Sequence, residues 1–131
     1  MSEPVEFLDL DDLIGLARGL LGDPPPIRDR GLLGSAVARP QVTVFGEDAY
    51  LDLWTKAAAL LQSIVGNHAL VDGNKRLGWL ATATFLEING KPVTHIANHD
   101  VYDLVIEVAS SATEVPALAA RMRALAEAPS S

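Results

Sequence analysis

The stretch from His68 to Arg76 gathers the side chains of this sequence best suited to chemistry. It reads His-Ala-Leu-Val-Asp-Gly-Asn-Lys-Arg, with a carboxylate four positions after the histidine. A histidine can accept a proton from a hydroxyl group near neutral pH. An aspartate is a hard oxygen ligand suited to Mg²⁺. The stretch therefore offers a base at His68 and a metal ligand at Asp72.

The second half of the stretch is suited to holding an anion. Gly73 and Asn74 allow a tight turn, and the amides that follow are predicted to open a helix, whose N-terminus attracts negative charge. Lys75 adds a point charge there, and Arg76 adds a bidentate fork for phosphate. A base, a metal ligand, an anion nest and two cations are the groups that phosphoryl or nucleotidyl transfer needs.

The same residues also have a purely structural interpretation. A histidine after a helix can satisfy a buried carbonyl group, and Asp-Gly-Asn is a common turn sequence. A Lys-Arg pair at the start of a helix can simply be solvated. The chemistry of the stretch alone leaves both interpretations open.

Two apolar helices are predicted to hold this stretch between them. The segment from Ala49 to Val65 has the wide apolar face of a central helix. A second helix is predicted from Lys75 to Ile88, and Asn89-Gly90 ends it. Its inward positions are predicted to be Leu77, Leu80, Ala81, Thr84, Phe85 and Ile88.

Two shorter helices are predicted before the central one. The first runs from Asp9, its N-cap, to Leu21, and Gly22 ends it. Asp29 is predicted to cap the second, which Pro40 stops. The inward positions of the first are predicted to be Leu10, Leu13, Ile14, Ala17, Leu20 and Leu21.

The segment before the central helix favours extended structure. Gln41 to Phe45 is rich in β-forming residues and predicts a short flap. Glu47 and Asp48 are interpreted as the cap of the central helix.

Two helices are predicted in the C-terminal part of the chain. Asn98 is predicted to cap the fifth, with an inward face of Val101, Tyr102, Val105, Ile106 and Ala109. Thr113 is predicted to cap the sixth, from Glu114 to Glu127, and residues 128–131 are expected to fray. The elements sum to an all-α fold: a compact bundle of about six helices, with a short extended flap, in a single domain of residues 1–131.

Composition limits the classes of function. The chain has 131 residues, no cysteine and a net charge of −7, so thiolate metal sites are excluded and nucleic acid binding is disfavoured. No apolar run is long enough for a membrane span and Met1 to Pro4 has no basic n-region, so a cytoplasmic location is expected. His95 and His99 are four apart, but His95 is predicted to precede the helix, which disfavours a metal site.

The sequence from His68 to Arg76 resembles the signature loop of the Fic/Doc family, His-x-Phe-x-Asp-(Gly/Ala)-Asn-(Gly/Lys)-Arg. It is most similar to the Doc branch, the bacterial toxins of toxin–antitoxin pairs. The resemblance spans most of the chain. It extends to Arg28–Leu33, Ala38–Pro40, Phe45–Glu47 and Phe85–Gly90.

The resemblance implies a role for each residue of the loop. His68 is similar to the histidine that activates the target hydroxyl, and Asp72 to the carboxylate that coordinates Mg²⁺. Gly73, Asn74 and the amides beyond resemble the anion nest. The cations that hold the nucleotide phosphates correspond to Lys75 and Arg76.

The branch implies a reaction. Adenylylating relatives have Gly at the position of Lys75 and a second Arg at the position of Trp79. Both departures match Doc, which resembles a kinase transferring the ATP γ-phosphate to a threonine of elongation factor Tu, arresting translation. The resemblance also implies a Phd-like antitoxin, with a disordered segment that folds as a helix in a groove.

Two alternatives to the kinase remain at this point. One is a Fic-type adenylyltransferase, which would transfer AMP instead of phosphate. The other is a catalytically inactive binding protein with the same fold. The second is supported by Leu70, because the family has Phe there to anchor the loop in the core, and Leu supplies less area and no ring.

Overall fold

A computed structural model describes residues 4–110 and 113–129 of the chain. Within them lie six helices and a hairpin of two-residue antiparallel strands, which confirms the predicted all-α fold with a short flap. The predicted fraying of Ser130 and Ser131 falls outside the described residues, as do positions 1–3 of the amino terminus. The elements are α1 (Leu10–Leu21), α2 (Arg30–Ala38), a 3₁₀ turn (Arg39–Gln41), β1 (Thr43–Val44), β2 (Glu47–Asp48), α3 (Leu53–Asn67), α4 (Asn74–Ile88), α5 (Asn98–Ser110) and α6 (Val115–Glu127).

Aspartate side chains cap the first three helices. Asp9 and Asp29 cap α1 and α2 as predicted. The start of the central helix was predicted wrongly, because Asp52 caps it by accepting a hydrogen bond from the Thr55 amide at 2.8 Å. That bond satisfies an N–H group that lacks a partner within the helix. Glu47 and Asp48 pair with β1 instead, and the helix runs on to Asn67.

The start of α6 and the end of α2 also differ from the predictions. Glu114, rather than Thr113, is the N-cap of α6, and its side chain makes no capping bond. Pro40 does not simply stop α2, because the chain continues through it as a 3₁₀ turn. Proline suits the first turn of such an element, since its missing N–H would have no partner there.

Helix α3 lies at the centre of the molecule and packs against α2, α4, α5 and α6. Its interface with α4 is close because Gly78 has no side chain. A Cβ atom at Gly78 would lie 2.8 Å from Val65 Cγ2. The largest fully buried side chains are Phe85, Leu13, Leu33, Leu60, Leu61, Ile64, Leu70, Leu77, Leu86, Leu104, Leu118 and Met122.

Several apolar positions predicted to face inward are exposed. Tyr102 on α5 is 66% exposed, Ile88 on α4 is 44% exposed and Leu20 on α1 is 36% exposed. In α5 the buried positions are Leu104, Val105 and Val108, so the core face is rotated from the predicted one. The described helices include none that is long and apolar enough to cross a bilayer.

Candidate functional site

The loop between α3 and α4 begins at His68. This residue ends α3 in the left-handed conformation, with φ 52° and ψ 44°. Left-handed backbone is uncommon for residues other than glycine. The His68 residue is exposed, whereas Ala69 and Leu70 directly after it are buried. The turn therefore lifts the imidazole out of the core while the chain beside it stays anchored.

Leu70 anchors the loop in the core. It is only 1% exposed, which confirms the packing role predicted for this position. Its backbone is bound by the side chain of Asn74: Oδ1 accepts from the Leu70 amide at 3.0 Å and Nδ2 donates to the Leu70 carbonyl at 3.1 Å. The Asn74 amide group thus closes the loop, a task that was not foreseen for it.

Gly73 is the N-cap residue of α4 and has two reasons to be glycine. Its φ is +91°, in the region that side chains disfavour. A Cβ there would lie 2.7 Å from Leu21 Cδ2. Among the described residues no side chain caps α4, unlike α1, α2 and α3. The first amides of α4 are therefore left for another partner, as an anion-binding helix terminus requires.

The charged groups beside these amides are accessible. Lys75 is exposed, and Arg76 Nη2 lies 3.9 Å from Asp72 Oδ2. The side chains of Arg76 and Asp72 are 60% and 88% exposed. An ion pair so long and so exposed is weak. Both groups can therefore exchange this contact for a ligand at little cost.

One cavity of about 780 Å³ brings the loop together. Its volume is within the range of small-molecule sites in proteins. It is lined by every residue that the sequence nominated for the site: His68, Asp72, Gly73, Asn74, Lys75 and Arg76. The base, the carboxylate, the uncapped helix and the cations therefore face the same space.

The rest of this cavity is apolar. Trp79, Leu80 and Ala83 line it from α4. The stripe on α5 that was predicted to be core lines the opposite wall, and it consists of Val101, Tyr102, Val105, Ile106 and Ala109. Asn98 and Thr94 extend the lining toward the 91–97 connection, and Leu20, Val65 and Val71 add further apolar side chains. The site thus has a polar end at the loop and an extended apolar end between α4 and α5.

The segment before α2 is a part of the site that sequence reasoning missed. Its residue Ile27 forms an isolated antiparallel bridge with Leu70. The Arg28 side chain donates a hydrogen bond to the His68 carbonyl oxygen. A separation of 40 residues leaves no local sequence pattern that could have signalled this contact.

Each of the two histidines outside the loop lies against another polar group of the protein. His95 Nε2 lies 2.7 Å from the Ala126 carbonyl oxygen and connects the 91–97 segment to α6. His99 Nε2 lies 3.5 Å from Asp100 Oδ1 at the start of α5. Within the described ranges, no group of three or more histidine or carboxylate side chains could hold a metal.

Two comparisons with known proteins, one with a family model and one with a single relative, point to the same family. Residues 7–86 match the model of the Fic/DOC family, a span that includes the loop and most of α4. Toxin Doc of Mycolicibacterium smegmatis (strain ATCC 700084 / mc(2)155) is 50% identical to this chain over 126 residues. The matched region covers 94% of this chain and 95% of that relative.

Proposed function

The chain belongs to the Fic/DOC family, and from this premise we propose that it is the toxin of a toxin–antitoxin pair. We propose further that it acts as an ATP-dependent protein Ser/Thr phosphotransferase on a translation factor, elongation factor Tu by family resemblance. The observation that carries the proposal is the shared cavity: His68, the uncapped start of α4, Lys75 and Arg76 all line it.

The proposed reaction assigns a task to each end of the loop. The first amides of α4, Lys75 and Arg76 hold the ATP phosphates and spread their negative charge. His68 accepts the proton of the target hydroxyl while the oxygen of that hydroxyl attacks the γ-phosphorus. The bond between the γ-phosphorus and the oxygen that bridges it to the β-phosphorus breaks. ADP leaves with the electron pair of that bond. The exposure of His68 suits a base that must meet a second protein.

Asp72 is suited to holding Mg²⁺ together with the nucleotide. Mg²⁺ is commonly held by one or two carboxylates and by substrate phosphates, and it keeps several of its waters. Asp72 provides one accessible carboxylate beside Arg76, and its side chain is 88% exposed. When bound, the metal would neutralise charge on the phosphates. A single carboxylate from the protein, together with phosphate oxygens and waters, fits a Mg²⁺ site of this kind.

Phosphoryl transfer is proposed over adenylyl transfer because of two side chains in the cavity. Lys75 stands where adenylylating relatives have glycine, and Trp79 where they have arginine. Trp79 is half-buried in the cavity wall and has no charge with which to neutralise a phosphate. The apolar surface of Trp79 is suited instead to contact with a nucleotide base or with an apolar partner.

The apolar end of the cavity supports an antitoxin as partner. Val101, Tyr102, Val105 and Ile106 recur at helical spacing along α5, and Leu80 and Ala83 face them from α4. A groove of this kind accepts an amphipathic helix through anchors at similar spacing. We propose that a disordered, Phd-like antitoxin segment folds there, next to the loop.

The proposal is tested with two forms of labelled ATP. The protein is incubated with elongation factor Tu, Mg²⁺ and ATP labelled at the α or the γ phosphorus. Label from γ supports the kinase, and label from α would replace it with adenylyl transfer. No label from either would point to a binding role or to another target. The control His68→Ala should abolish transfer, and transfer at the parent rate would refute the role of His68.

A further inference from the structure

The conformation of His68 requires support from its surroundings. Its left-handed backbone, φ 52° and ψ 44°, is disfavoured for a residue other than glycine. Such a conformation persists where neighbouring groups fix it. The direction of the imidazole depends on this backbone, because the side chain leaves from the residue that makes the turn. The contacts that fix the turn therefore also aim the proposed base.

Those contacts come from residues 26–29. The amides of Arg28 and Asp29 both donate to the Ala69 carbonyl, at 2.8 and 3.0 Å. The Val71 amide donates to the Pro26 carbonyl at 2.9 Å. Together with the bridge between residues 27 and 70, these bonds pair the segment with the loop in an antiparallel sense. The loop from residue 69 to residue 71 is thus held along its length.

The Arg28 side chain extends this support to His68 itself. Its guanidinium Nη2 donates to the carbonyl oxygen of His68, the residue directly before the backbone pairing. That carbonyl lies at the C-terminal end of α3, where the helix dipole is negative and a cation is stabilising. Arg28 is exposed, so its contact is polar rather than part of the core.

Arg28 does not face the proposed phosphate site. It lines a second cavity of about 610 Å³, together with Arg18, Asp23, Asp29 and Arg30. The large cavity that holds Lys75 and Arg76 does not include it. A direct role of Arg28 in binding the nucleotide is therefore not what the geometry favours.

We infer that Arg28 is a positioning residue, which fixes the left-handed turn of His68 and so aims its imidazole at the target hydroxyl. The predicted effect of Arg28 on the reaction rate rests on the proposed function. The predicted effect on the backbone of His68 does not, because that conformation can be measured without any substrate. Removal of the guanidinium should slow the chemical step and leave nucleotide binding nearly unchanged.

The test compares Arg28→Met, Arg28→Lys and the control Arg30→Met. Arg30 is a neighbouring arginine that begins α2 and also lines the second cavity. NMR measures the three-bond HN–Hα coupling and the backbone ¹³C shifts of His68, and steady-state assays give kcat and the KM for ATP. In Arg28→Met, the coupling and ¹³C shifts of His68 should lose the values typical of left-handed backbone (the left-handed signature) or be averaged. The kcat should fall about 10- to 100-fold. The KM for ATP should change less than about twofold, since only transition-state geometry is altered.

Two comparisons distinguish positioning from a loss of charge. Arg28→Lys should recover part of kcat, and Arg30→Met should retain the parent kcat. If the melting temperature shows that Arg28→Met is unfolded, Arg28→Ala takes its place in every comparison.

The inference is overturned if the folded variant keeps both the left-handed signature of His68 and the parent kcat. An equal fall of kcat in Arg30→Met would overturn it as well, since a general loss of positive charge would explain the result. Absence of transfer by the parent protein is a different failure. It would count against the proposed function, while the NMR comparison would still decide whether Arg28 fixes the turn.

Discussion

The side chain of Asn74 and the backbone of Leu70 form a closed pair of hydrogen bonds, at 3.0 and 3.1 Å. Asn74 is also the first residue of α4. A single side chain thus connects the buried anchor of the loop to the start of the helix proposed to hold phosphate. The start of α4 is therefore held next to Leu70 by a contact within the loop itself.

Asn74→Ala should lower both stability and activity. It removes both hydrogen bonds and leaves the amide and carbonyl of Leu70 without partners, and Leu70 is buried. We expect a loss of about 1–3 kcal/mol of unfolding free energy, measured by urea denaturation.

Asn74→Asp separates the two effects of that residue. An aspartate can still accept from the Leu70 amide but cannot donate to its carbonyl. Its charge is favourable at a helix N-terminus, so the unfolding free energy should fall less than in Asn74→Ala. The same charge competes with phosphate, so the KM for ATP should rise. An unchanged KM in Asn74→Asp would contradict the placement of the anion site.

Gly73→Ala should reduce phosphoryl transfer about 100-fold. The substitution strains a residue at φ +91° and places a methyl group against Leu21, so the first turn of α4 must shift. The matched control is Gly90→Ala, where φ is +80°, no atom lies within 4 Å of the added Cβ, and the residue is outside the cavity.

Both glycine variants should lose stability, by about 1–3 kcal/mol from the strained backbone. Only Gly73→Ala should also lose transfer of labelled γ-phosphate, compared at a temperature where both proteins are folded. Equal activities in the two variants would show that the start of α4 is not part of the site.

Gly78→Ala should destabilise the fold through overpacking. The added Cβ would meet Val65 at 2.8 Å and Leu61 at 3.3 Å in the interface between α3 and α4. Overpacking costs about 1–3 kcal/mol, which outweighs the gain of about 1 kcal/mol from better helix propensity. The free energy of unfolding is measured in urea for both this variant and its control.

Gly34→Ala is the control for helix propensity. Gly34 lies within α2, and an added Cβ there would have no atom within 4 Å. This variant should gain about 0.5–1 kcal/mol. If Gly78→Ala were stabilised to the same extent, the close approach of α3 and α4 would not depend on glycine.

Tyr102→Glu should weaken binding of the cognate antitoxin. The side chain lines the apolar end of the cavity and is 66% exposed, so a charge there can be accommodated in the free toxin. A charge in a helix-binding groove must be desolvated when the antitoxin docks. We expect the Kd, measured by calorimetry, to rise at least about tenfold.

The control for that measurement is Asp103→Ala, an exposed position on α5 outside the cavity lining. Its Kd should stay within about twofold of the parent value. An unchanged Kd in Tyr102→Glu would place the antitoxin on another surface of the toxin.

The sequence alone determined the features that depend on near neighbours along the chain. Asp9 and Asp29 cap their helices because each side chain reaches an amide three residues later. The loop from His68 to Arg76 could be nominated for the same reason, since its groups are close in sequence and share a turn. These groups do line one cavity in the folded chain.

Only the tertiary structure decided what distant segments contribute. Periodicity identified an apolar stripe on α5, but an apolar face looks the same in sequence whether it meets a core or an open cavity. In the folded chain that stripe lines the cavity beside α4. The contact from Arg28 to the His68 carbonyl likewise spans 40 residues. It exists because folding brings residues 26–29 alongside the loop, where backbone groups that lack helical partners can pair.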